Sequence, residues 1–146
     1  MGEAIKAEAH GDVPVGAIII KDGIVIAKGH NLREKSKDPS AHAEIVALRR
    51  AAKKLGHWNL SECSIYVTLE PCPMCAAALV QSRIAELIYA AEDLKGGAIS
   101  LGLNILNNEK LNHHVKVRKL DNKKAAGEIL SEFFRKRRLE KKSVKN

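Results

Sequence analysis

The stretch Ser64-Ile-Tyr-Val-Thr-Leu-Glu-Pro-Cys-Pro-Met-Cys75 decides the fold, because it joins a strand directly to a helix. The β-branched and aromatic residues from Ser64 to Leu69 predict the strand. Glu70-Pro71 ends it, and proline there suits the first turn of a helix that we expect to run to about Ser82. A second strand is predicted from Ala85 to Ala91. Strand, helix and strand in this order indicate an α/β fold.

The same alternation continues towards both ends of the chain. Before the stretch, the hydrophobic pattern predicts a helix, two strands joined by a Lys21-Asp22-Gly23 turn, and a helix: residues 2–9, 13–21, 24–28 and 41–55. After it, the pattern predicts a last strand and a long amphipathic helix: residues 115–120 and 122–142. The buried stripe of this helix is predicted to be Ile129, Leu130, Phe133 and Phe134. No repeat or linker interrupts the chain. We therefore predict a single domain over residues 1–146, a three-layer α/β/α sandwich around a central mixed sheet of about five strands.

Four residues at the starts of two predicted helices have the chemistry of a metal site. His42 and Glu44 begin one helix, and Cys72 and Cys75 begin the other. The two cysteines are three residues apart, so their sulfurs can reach one ion, and a helix N-terminus favours their thiolate form. One imidazole and two thiolates suit zinc and leave the fourth tetrahedral position open. The pattern predicts one Zn²⁺ ion held by His42, Cys72 and Cys75.

Glu44 completes this pattern. Residues two apart on a helix do not face each other, so His42 and Glu44 converge only if His42 lies where the chain enters the helix or Glu44 reaches across without binding the metal. Zinc lowers the pKa of water from about 15.7 to roughly 7, and a carboxylate beside the metal can move the released proton. His-x-Glu followed by Pro-Cys-x-x-Cys is the known signature of zinc nucleobase deaminases. Glu44 is the predicted catalytic residue.

Other interpretations of these residues are open at this point. A thioredoxin-like redox pair would explain Cys72 and Cys75 but leave His42 and Glu44 without a role. A structural zinc site needs a fourth protein ligand, for which Cys63 and His57 are candidates, although Cys63 opens a strand and is expected in the core. A zinc-stabilised RNA-binding module without catalysis would have no use for the carboxylate.

Composition and charge restrict the partners. The chain has 146 residues, 45% of them hydrophobic, with neither a long apolar run nor a secretory signal, so no membrane partner and a cytoplasmic location are expected. Of the net charge of +8, the segment Arg135–Asn146 carries +6. A basic tail is typical of proteins that bind nucleic acid or a membrane surface, although solvated basic helix ends are also common. Aromatic residues make up only 3%, which excludes an extended stacking surface for single strands.

From residue 12 to about 140 the chain resembles the bacterial tRNA-specific adenosine deaminases. The matching segments include Asp12-Val-Pro-Val-Gly-Ala17, Gly29-His-Asn31, Asp38-Pro-Ser-Ala-His-Ala-Glu44, Val67-Thr-Leu-Glu-Pro-Cys72, Leu111-Asn-His113 and Ser131-Glu-Phe-Phe-Arg135. The zinc segments are shared with small-molecule relatives, whereas the Phe-Phe-Arg end of the last helix separates the tRNA deaminases. The resemblance implies a cytidine deaminase-like fold.

The resemblance also implies the reaction and the substrate. It implies hydrolysis of adenosine to inosine at the wobble position of a tRNA anticodon arm, by a homodimer without an organic cofactor. The substrate-binding residues implied are Asn31 for the flipped nucleoside, the Ala43 backbone for the base, Asp93 for a 2′-hydroxyl, Phe134 for a splayed base, and Arg137 and Arg138 for phosphates. The alternative roles of Asn31 and Asp93 are turn formation, and that of Phe133 or Phe134 is core packing. The alternative function is a small-molecule deaminase of guanine, cytosine or a free nucleoside.

Overall fold

A mixed sheet of five strands forms the centre of the structure, a computed structural model that describes residues 1–121 and 124–145. The strands are β1 (Gly16–Lys21), β2 (Ile24–His30), β3 (Cys63–Leu69), β4 (Glu86–Ala91) and β5 (Lys116–Lys119). Their order in the sheet is β2-β1-β3-β4-β5. β1 is antiparallel to both of its neighbours, whereas β3, β4 and β5 are parallel. The parallel half therefore brings the carboxyl ends of β3 and β4 to the same edge.

Helices cover both faces of this sheet. They are α1 (Gly2–Ala9), α2 (Arg33–Ser36), α3 (Ala43–Leu55), α4 (Pro73–Gln81) and α5 (Lys124–Val144). Two glycines show which helix covers which face: a Cβ on Gly16 would lie 2.6 Å from the Ala4 nitrogen in α1, and a Cβ on Gly29 would lie 2.6 Å from the Ala43 oxygen in α3. Gly29 pairs with Ala17, so it faces the side opposite to Gly16. α4 contacts α3, and α5 packs on β3 and β4.

The structure confirms the predicted three-layer sandwich with five strands. Its core lies between the sheet and the helices, where Ile19, Ile65 and Leu87 from three neighbouring strands are 0% exposed. Residues 122 and 123, with which the predicted last helix begins, lie outside the described residues. None of the helices described is long and apolar enough to span a membrane.

The structure differs from the predictions at several boundaries, two of which its local geometry explains, and it contains one further helix. β1 begins at Gly16 and not at residue 13, because the Val15 amide donates to the Val13 carbonyl in a tight turn and Pro14 has no amide hydrogen. α4 begins at Pro73 and not at Pro71, because Cys72 is its N-cap. The four-residue helix α2 was not predicted, since Arg-Glu-Lys-Ser has no hydrophobic periodicity.

Candidate active site

The N-termini of α3 and α4 meet beyond the carboxyl ends of β3 and β4, the edge at which α/β sheets commonly bind ligands. His42 is the N-cap of α3, with an extended backbone (φ −71°, ψ 156°). Cys72 is the N-cap of α4, and its sulfur accepts a 3.5 Å hydrogen bond from the Cys75 amide. His42 therefore lies where the chain enters its helix, one of the two arrangements that allow it to converge with Glu44.

The three predicted ligands form a compact cluster. The His42 Nδ1 atom is 3.5 Å from the Cys72 sulfur and 3.5 Å from the Cys75 sulfur. All three ligand atoms lie within 4.8 Å of one another. Bonds of about 2.3 Å to sulfur and about 2.0 Å to nitrogen in a tetrahedral zinc site separate nitrogen from sulfur by about 3.5 Å. In donor type and in spacing, these residues fit a zinc ion with a fourth position left for a small ligand.

Neither candidate for a fourth protein ligand joins this cluster. In the described part of the chain, His42, Cys72 and Cys75 are the one group of three or more His, Cys, Asp or Glu side chains close enough to share an ion. Cys63 is 1% exposed and belongs to the hydrophobic core, as expected. His57 lies on the surface in the loop after α3. The geometry therefore favours an open site over a closed structural one.

The electrostatics of the cluster favour a cation. The adjacent Cys75 thiol, with the His42 ring adding to its effect, lowers the pKa of Cys72 to about 4. The same contact, together with burial, raises the pKa of Cys75. The hydrogen bond with Cys72 raises the pKa of His42. A divalent cation would favour both thiolates and a neutral imidazole, because metal ligation displaces protons from all three groups.

Glu44 lies beside the cluster in α3 and is only 4% exposed. Burial is the main reason that the pKa of its carboxyl is raised above the ordinary value of 4.5. A raised pKa makes the carboxylate a stronger proton acceptor, which suits a group that takes up a proton and then returns it. Its position and environment are those of a proton carrier.

A cavity of about 390 Å³ opens beside His42, Glu44 and Cys72. A volume in this range suits a small-molecule or single-nucleotide site. Four of the residues predicted to bind substrate also line it: Asn31, Ala43, Asp93 and Phe134. The structure therefore brings these four residues to the metal cluster, although they come from four separate segments of the chain.

Asn31 and Asp93 line the cavity and also form turns. The Asn31 amide donates from Nδ2 to the Val13 carbonyl at 3.3 Å, and its Oδ1 atom accepts from the Arg33 amide at 3.0 Å. Asp93 Oδ1 accepts from the amides of Lys95 at 3.3 Å and Gly96 at 3.0 Å. The two interpretations of each residue are therefore compatible, because the turn fixes a side chain that still faces the cavity.

The two phenylalanines of α5 have different positions. Phe133 is 7% exposed and belongs to the core side of the helix, whereas Phe134 is 46% exposed and lines the cavity. Their rings meet edge to face at 5.5 Å. The expectation that at least one of them packs in the core is confirmed, but the predicted buried stripe of Ile129, Leu130, Phe133 and Phe134 is wrong at Phe134.

Arg137 and Arg138 do not line the cavity. The Arg137 guanidinium donates to the Gly11 carbonyl at 2.9 Å and lies 5.4 Å from the centre of the Phe133 ring. Arg138 is exposed, and no hydrogen bond or ion pair joins its side chain to another residue within 1–121 and 124–145. The two arginines therefore have different surroundings: Arg137 holds α5 against the loop after α1, and Arg138 faces solvent.

Several cavity residues were missed from the sequence, including Arg33, Glu70, Lys95 and Leu130. Arg33 reaches the site because α2 is held in place by Asp12, whose side chain is 0% exposed and accepts from the amides of Glu34 at 2.6 Å and Lys35 at 3.2 Å. A helix of four residues is too short to show hydrophobic periodicity, so α2 and the position of Arg33 could not be predicted from the sequence pattern.

The His-x-Glu and Pro-Cys-x-x-Cys segments thus meet at one cavity on an α/β sandwich, which defines the class as a nucleobase deaminase. The family model for MafB19-like deaminases matches residues 1–138. The tRNA-specific adenosine deaminase of Bacillus subtilis (strain 168) is 44% identical over 143 residues, which cover 98% of this chain and 89% of that protein. The chain belongs to the tRNA-specific adenosine deaminase family.

Solved structures agree with this grouping. A structure from a study of A-to-I editing by tRNA:A34 deaminases at the wobble position of transfer RNA matches with a TM-score of 0.84 and 40% identity, over 88% of this chain and 94% of that one. The guanine deaminase of Nitrosomonas europaea matches with a TM-score of 0.72 and 26% identity, over 90% of this chain and 78% of that one. The backbone is thus more similar to the tRNA deaminase than to this small-molecule relative.

Proposed function

We propose that this protein catalyses the zinc-dependent hydrolytic deamination of adenosine to inosine at the wobble position of a tRNA anticodon. The observation that carries the proposal is a metal cluster beside a buried glutamate in a cavity that is also lined by Phe134 of the basic helix α5. The family membership of the chain supports the reaction and the substrate together.

His42, Cys72 and Cys75 hold one Zn²⁺ ion per subunit through Nδ1 and two sulfurs. Zinc, when bound, supplies Lewis acidity that brings the pKa of water from about 15.7 to roughly 7. The short distances from His42 Nδ1 to both sulfurs, 3.5 Å each, mean that the cluster needs little rearrangement to bind the ion. The N-cap positions of His42 and Cys72 fix these ligands on regular secondary structure.

Glu44 moves the protons of the reaction. It takes one proton from the attacking water and gives it to N1 of adenine as the water oxygen bonds to C6. It then delivers the second proton of that water to the amino group at C6, the C–N bond breaks, and ammonia leaves. Adenosine and water thereby become inosine and ammonia. Because Glu44 is 4% exposed, its carboxyl exchanges protons with the substrate and the attacking water and not with bulk solvent.

The remaining cavity residues orient the nucleotide. Ala43 is the first residue of α3, so its amide has no acceptor within the helix and can donate to the base. Asn31 holds the flipped nucleoside, and Asp93 accepts from the 2′-hydroxyl of the flanking nucleotide. Phe134, which is 46% exposed, offers its ring to a splayed loop base.

The basic helix α5 binds the phosphates of the anticodon arm. Arg138 faces solvent and can meet a phosphate directly, whereas Arg137 contributes charge while it remains bonded to Gly11. A small-molecule deaminase would share the metal cluster but would have no use for this helix, and the lower similarity to guanine deaminase also disfavours it. From the family we further propose a homodimer that acts in the cytoplasm.

The test is inosine formation in a transcribed anticodon stem-loop with adenosine at the wobble position. Free adenosine, cytidine and guanine are assayed in parallel. Glu44→Ala is the inactive variant, and Glu62→Ala is the matched control because its side chain is 75% exposed and outside the cavity. We expect inosine in the RNA alone, with full zinc content in both variants and activity lost only in Glu44→Ala.

Two results would contradict parts of the proposal. Ammonia release from a free base or nucleoside, without inosine in the RNA, would leave the zinc chemistry intact and overturn the tRNA substrate. Normal turnover by Glu44→Ala would overturn the role of Glu44.

A further inference from the structure

Glu70 is a buried carboxylate that the proposed reaction does not use. It follows β3, is 2% exposed, and lies two residues before the ligand Cys72. Its Oε1 atom accepts from Ser100 Oγ at 2.5 Å and from the Asp93 amide at 3.4 Å, and its Oε2 atom accepts from the Ser100 amide at 2.8 Å. One side chain therefore ties the segment that carries the metal ligands to a loop thirty residues further along the chain.

This recognition loop, residues 93–100, is built around Glu70. The Gly97 amide donates to the Asp93 carbonyl at 2.8 Å, and the Ala98 amide donates to the Pro71 carbonyl at 2.9 Å. Gly97 has no side chain because there is no room for one: a Cβ would lie 1.8 Å from Glu70 Oε2 and 2.7 Å from the Asp93 oxygen. Both the backbone and the glycine of the loop are thus fitted to the position of this carboxylate.

The recognition loop also forms part of the cavity. Asp93 and Lys95 line it together with Glu44 and Cys72. Asp93 Oδ1 is already occupied by the amides of Lys95 and Gly96, and no described residue donates to Oδ2. The orientation of the available oxygen therefore depends on the loop backbone, and the loop backbone depends on Glu70.

We propose that Glu70 is a positioning residue that holds the recognition loop at a fixed distance from the metal ligands and thereby sets the preference of the enzyme for a ribonucleotide beside the target adenosine. The inference rests on the proposed function, in particular on contact between Asp93 and a 2′-hydroxyl. Although Glu70 borders the cavity, both of its oxygens accept hydrogen bonds from the recognition loop, so its role is positioning and not contact with the reacting atoms. It acts through the Asp93 and Ser100 amides. By these bonds it keeps the distance between the recognition loop and the metal site, and recognition of the ribose by the loop depends on that distance.

Variants can weaken this attachment by different routes. Glu70→Ala removes both acceptors. Glu70→Gln keeps one oxygen for the Ser100 amide, and the Ser100 hydroxyl can rotate to accept from the new amide group. Only the long 3.4 Å hydrogen bond from the Asp93 amide is lost, so most of the attachment survives. In Gly97→Ala, the new methyl group would clash with the Glu70 carboxylate and push it away from the loop. Glu86→Ala is the matched control, because Glu86 is another sheet glutamate, paired with Arg118 away from the cavity.

The experiment compares two anticodon stem-loops, one all-ribose and one with 2′-deoxyribose at the nucleotide flanking the target adenosine. For the wild type and Glu86→Ala, we expect kcat/KM to be about tenfold or more higher for the all-ribose RNA. Glu70→Ala and Gly97→Ala should lose about 10- to 100-fold on the all-ribose RNA, mainly through KM, and the ratio between substrates should fall towards one. Glu70→Gln should retain most of the ratio, with zinc content unchanged throughout.

Amide hydrogen exchange provides a readout that does not depend on the substrate. We expect faster exchange at Asp93 and Ser100 in Glu70→Ala, with no change in β4. Unchanged exchange in this loop would overturn the positioning role, as would an equal loss of kcat/KM on both RNAs, because a merely structural residue affects both alike. If the wild type makes no inosine in RNA, the proposed function fails, and the exchange experiment still decides whether Glu70 positions the loop.

Discussion

The cavity is built from two regions of different construction. We call His42, Glu44, Cys72 and Cys75 the floor, and Arg33, Asp93, Lys95 and Phe134 the rim. The floor residues are buried or half-buried and lie in the first turns of α3 and α4, at or just after the N-caps. The rim residues are half-buried or exposed and come from a short helix, a loop and the last helix.

Under the proposed function, the difference separates chemistry from recognition. Metal ligation and proton transfer tolerate little displacement, and helix starts packed on the sheet hold the floor accordingly. The rim residues lie outside the helix starts that carry the metal cluster, so substitutions there can change substrate specificity without disturbing the floor. Substitutions in the floor should therefore abolish turnover, and those in the rim should change substrate affinity.

The largest effect is expected in the floor, at Cys75. Cys75→Ala removes a proposed zinc ligand that is 0% exposed, so the protein should lose most of its zinc, and turnover should fall by more than about 10⁴-fold because water loses its activation. Zinc content measured by atomic spectroscopy and inosine formation measured on the stem-loop check this.

Cys63→Ala is the control for Cys75→Ala. Cys63 is equally buried but lies in the core outside the cluster, so its variant should keep zinc and activity. Zinc loss in Cys63→Ala, or full zinc in Cys75→Ala, would mean that the ligand set is misassigned.

The floor could be predicted from residue chemistry and spacing, whereas Asp93 and Phe134 of the rim were expected only from the family resemblance, and Arg33 and Lys95 were missed. His42, Glu44, Cys72 and Cys75 are marked by short spacings at helix starts, because helix geometry converts local spacing into a shared site. The contact between Glu70 and Ser100 joins residues thirty positions apart, and no local pattern records such a pairing.

The fold shows the same contrast between local and tertiary signals. Five strands and four of the helices follow from hydrophobic periodicity, but α2 depends on buried Asp12, which bonds to its amides across more than twenty residues. Phe134 was placed in the buried stripe because its spacing fits a helix, yet adjacent helical residues point in different directions and Phe133 takes the core position.

The second prediction concerns the rim at Phe134. Replacing it with alanine removes the exposed ring that lines the cavity, so we expect KM for the stem-loop to rise about 10- to 100-fold, the loss typical of one base-stacking contact. The value of kcat and the zinc content should hardly change, because the floor is untouched. Steady-state kinetics with the stem-loop measure both constants.

Leu139→Ala tests whether any exposed apolar residue of α5 would give the same result. Leu139 is 56% exposed and does not line the cavity, so its loss should leave KM unchanged. A fall in kcat with constant KM for Phe134→Ala would contradict the division between floor and rim.

A smaller effect is expected beyond the rim, at two adjacent arginines. Arg138→Ala should weaken RNA binding a few-fold and reduce the slope of log affinity against log salt by about one, without a change in stability. Arg137→Ala should lower the melting temperature as well, because Arg137 bonds to the Gly11 carbonyl and packs over Phe133. Binding titrations at several salt concentrations and thermal unfolding distinguish the two. Equal melting temperatures for the two variants would contradict the docking role of Arg137.

The smallest effect on activity is expected at Glu3, which lies on α1 and touches neither the floor nor the rim. Burial acts to raise the pKa of Glu3, but hydrogen bonds from Lys6 at 2.8 Å and with His30 at 2.9 Å outweigh it and hold the pKa below 4.5. The native state therefore binds fewer protons at this carboxyl than the unfolded chain does. The resulting stabilisation is complete above about pH 4.5 and is lost as pH falls through the lower native pKa.

Glu3→Gln should accordingly lower the free energy of unfolding at pH 7 by about 1–3 kcal/mol. The difference from the wild type should shrink below pH 4.5, and kcat and KM at a temperature well below unfolding should stay the same. Glu8→Gln is the control, because its ion pair with Lys136 is longer, at 3.7 Å, and should contribute less than about 1 kcal/mol. Denaturant unfolding at pH 7 and pH 3.5 checks the sign. An equal loss at both pH values would show that Glu3 stabilises by packing, and a changed KM would show that α1 supports the rim as well as the sheet.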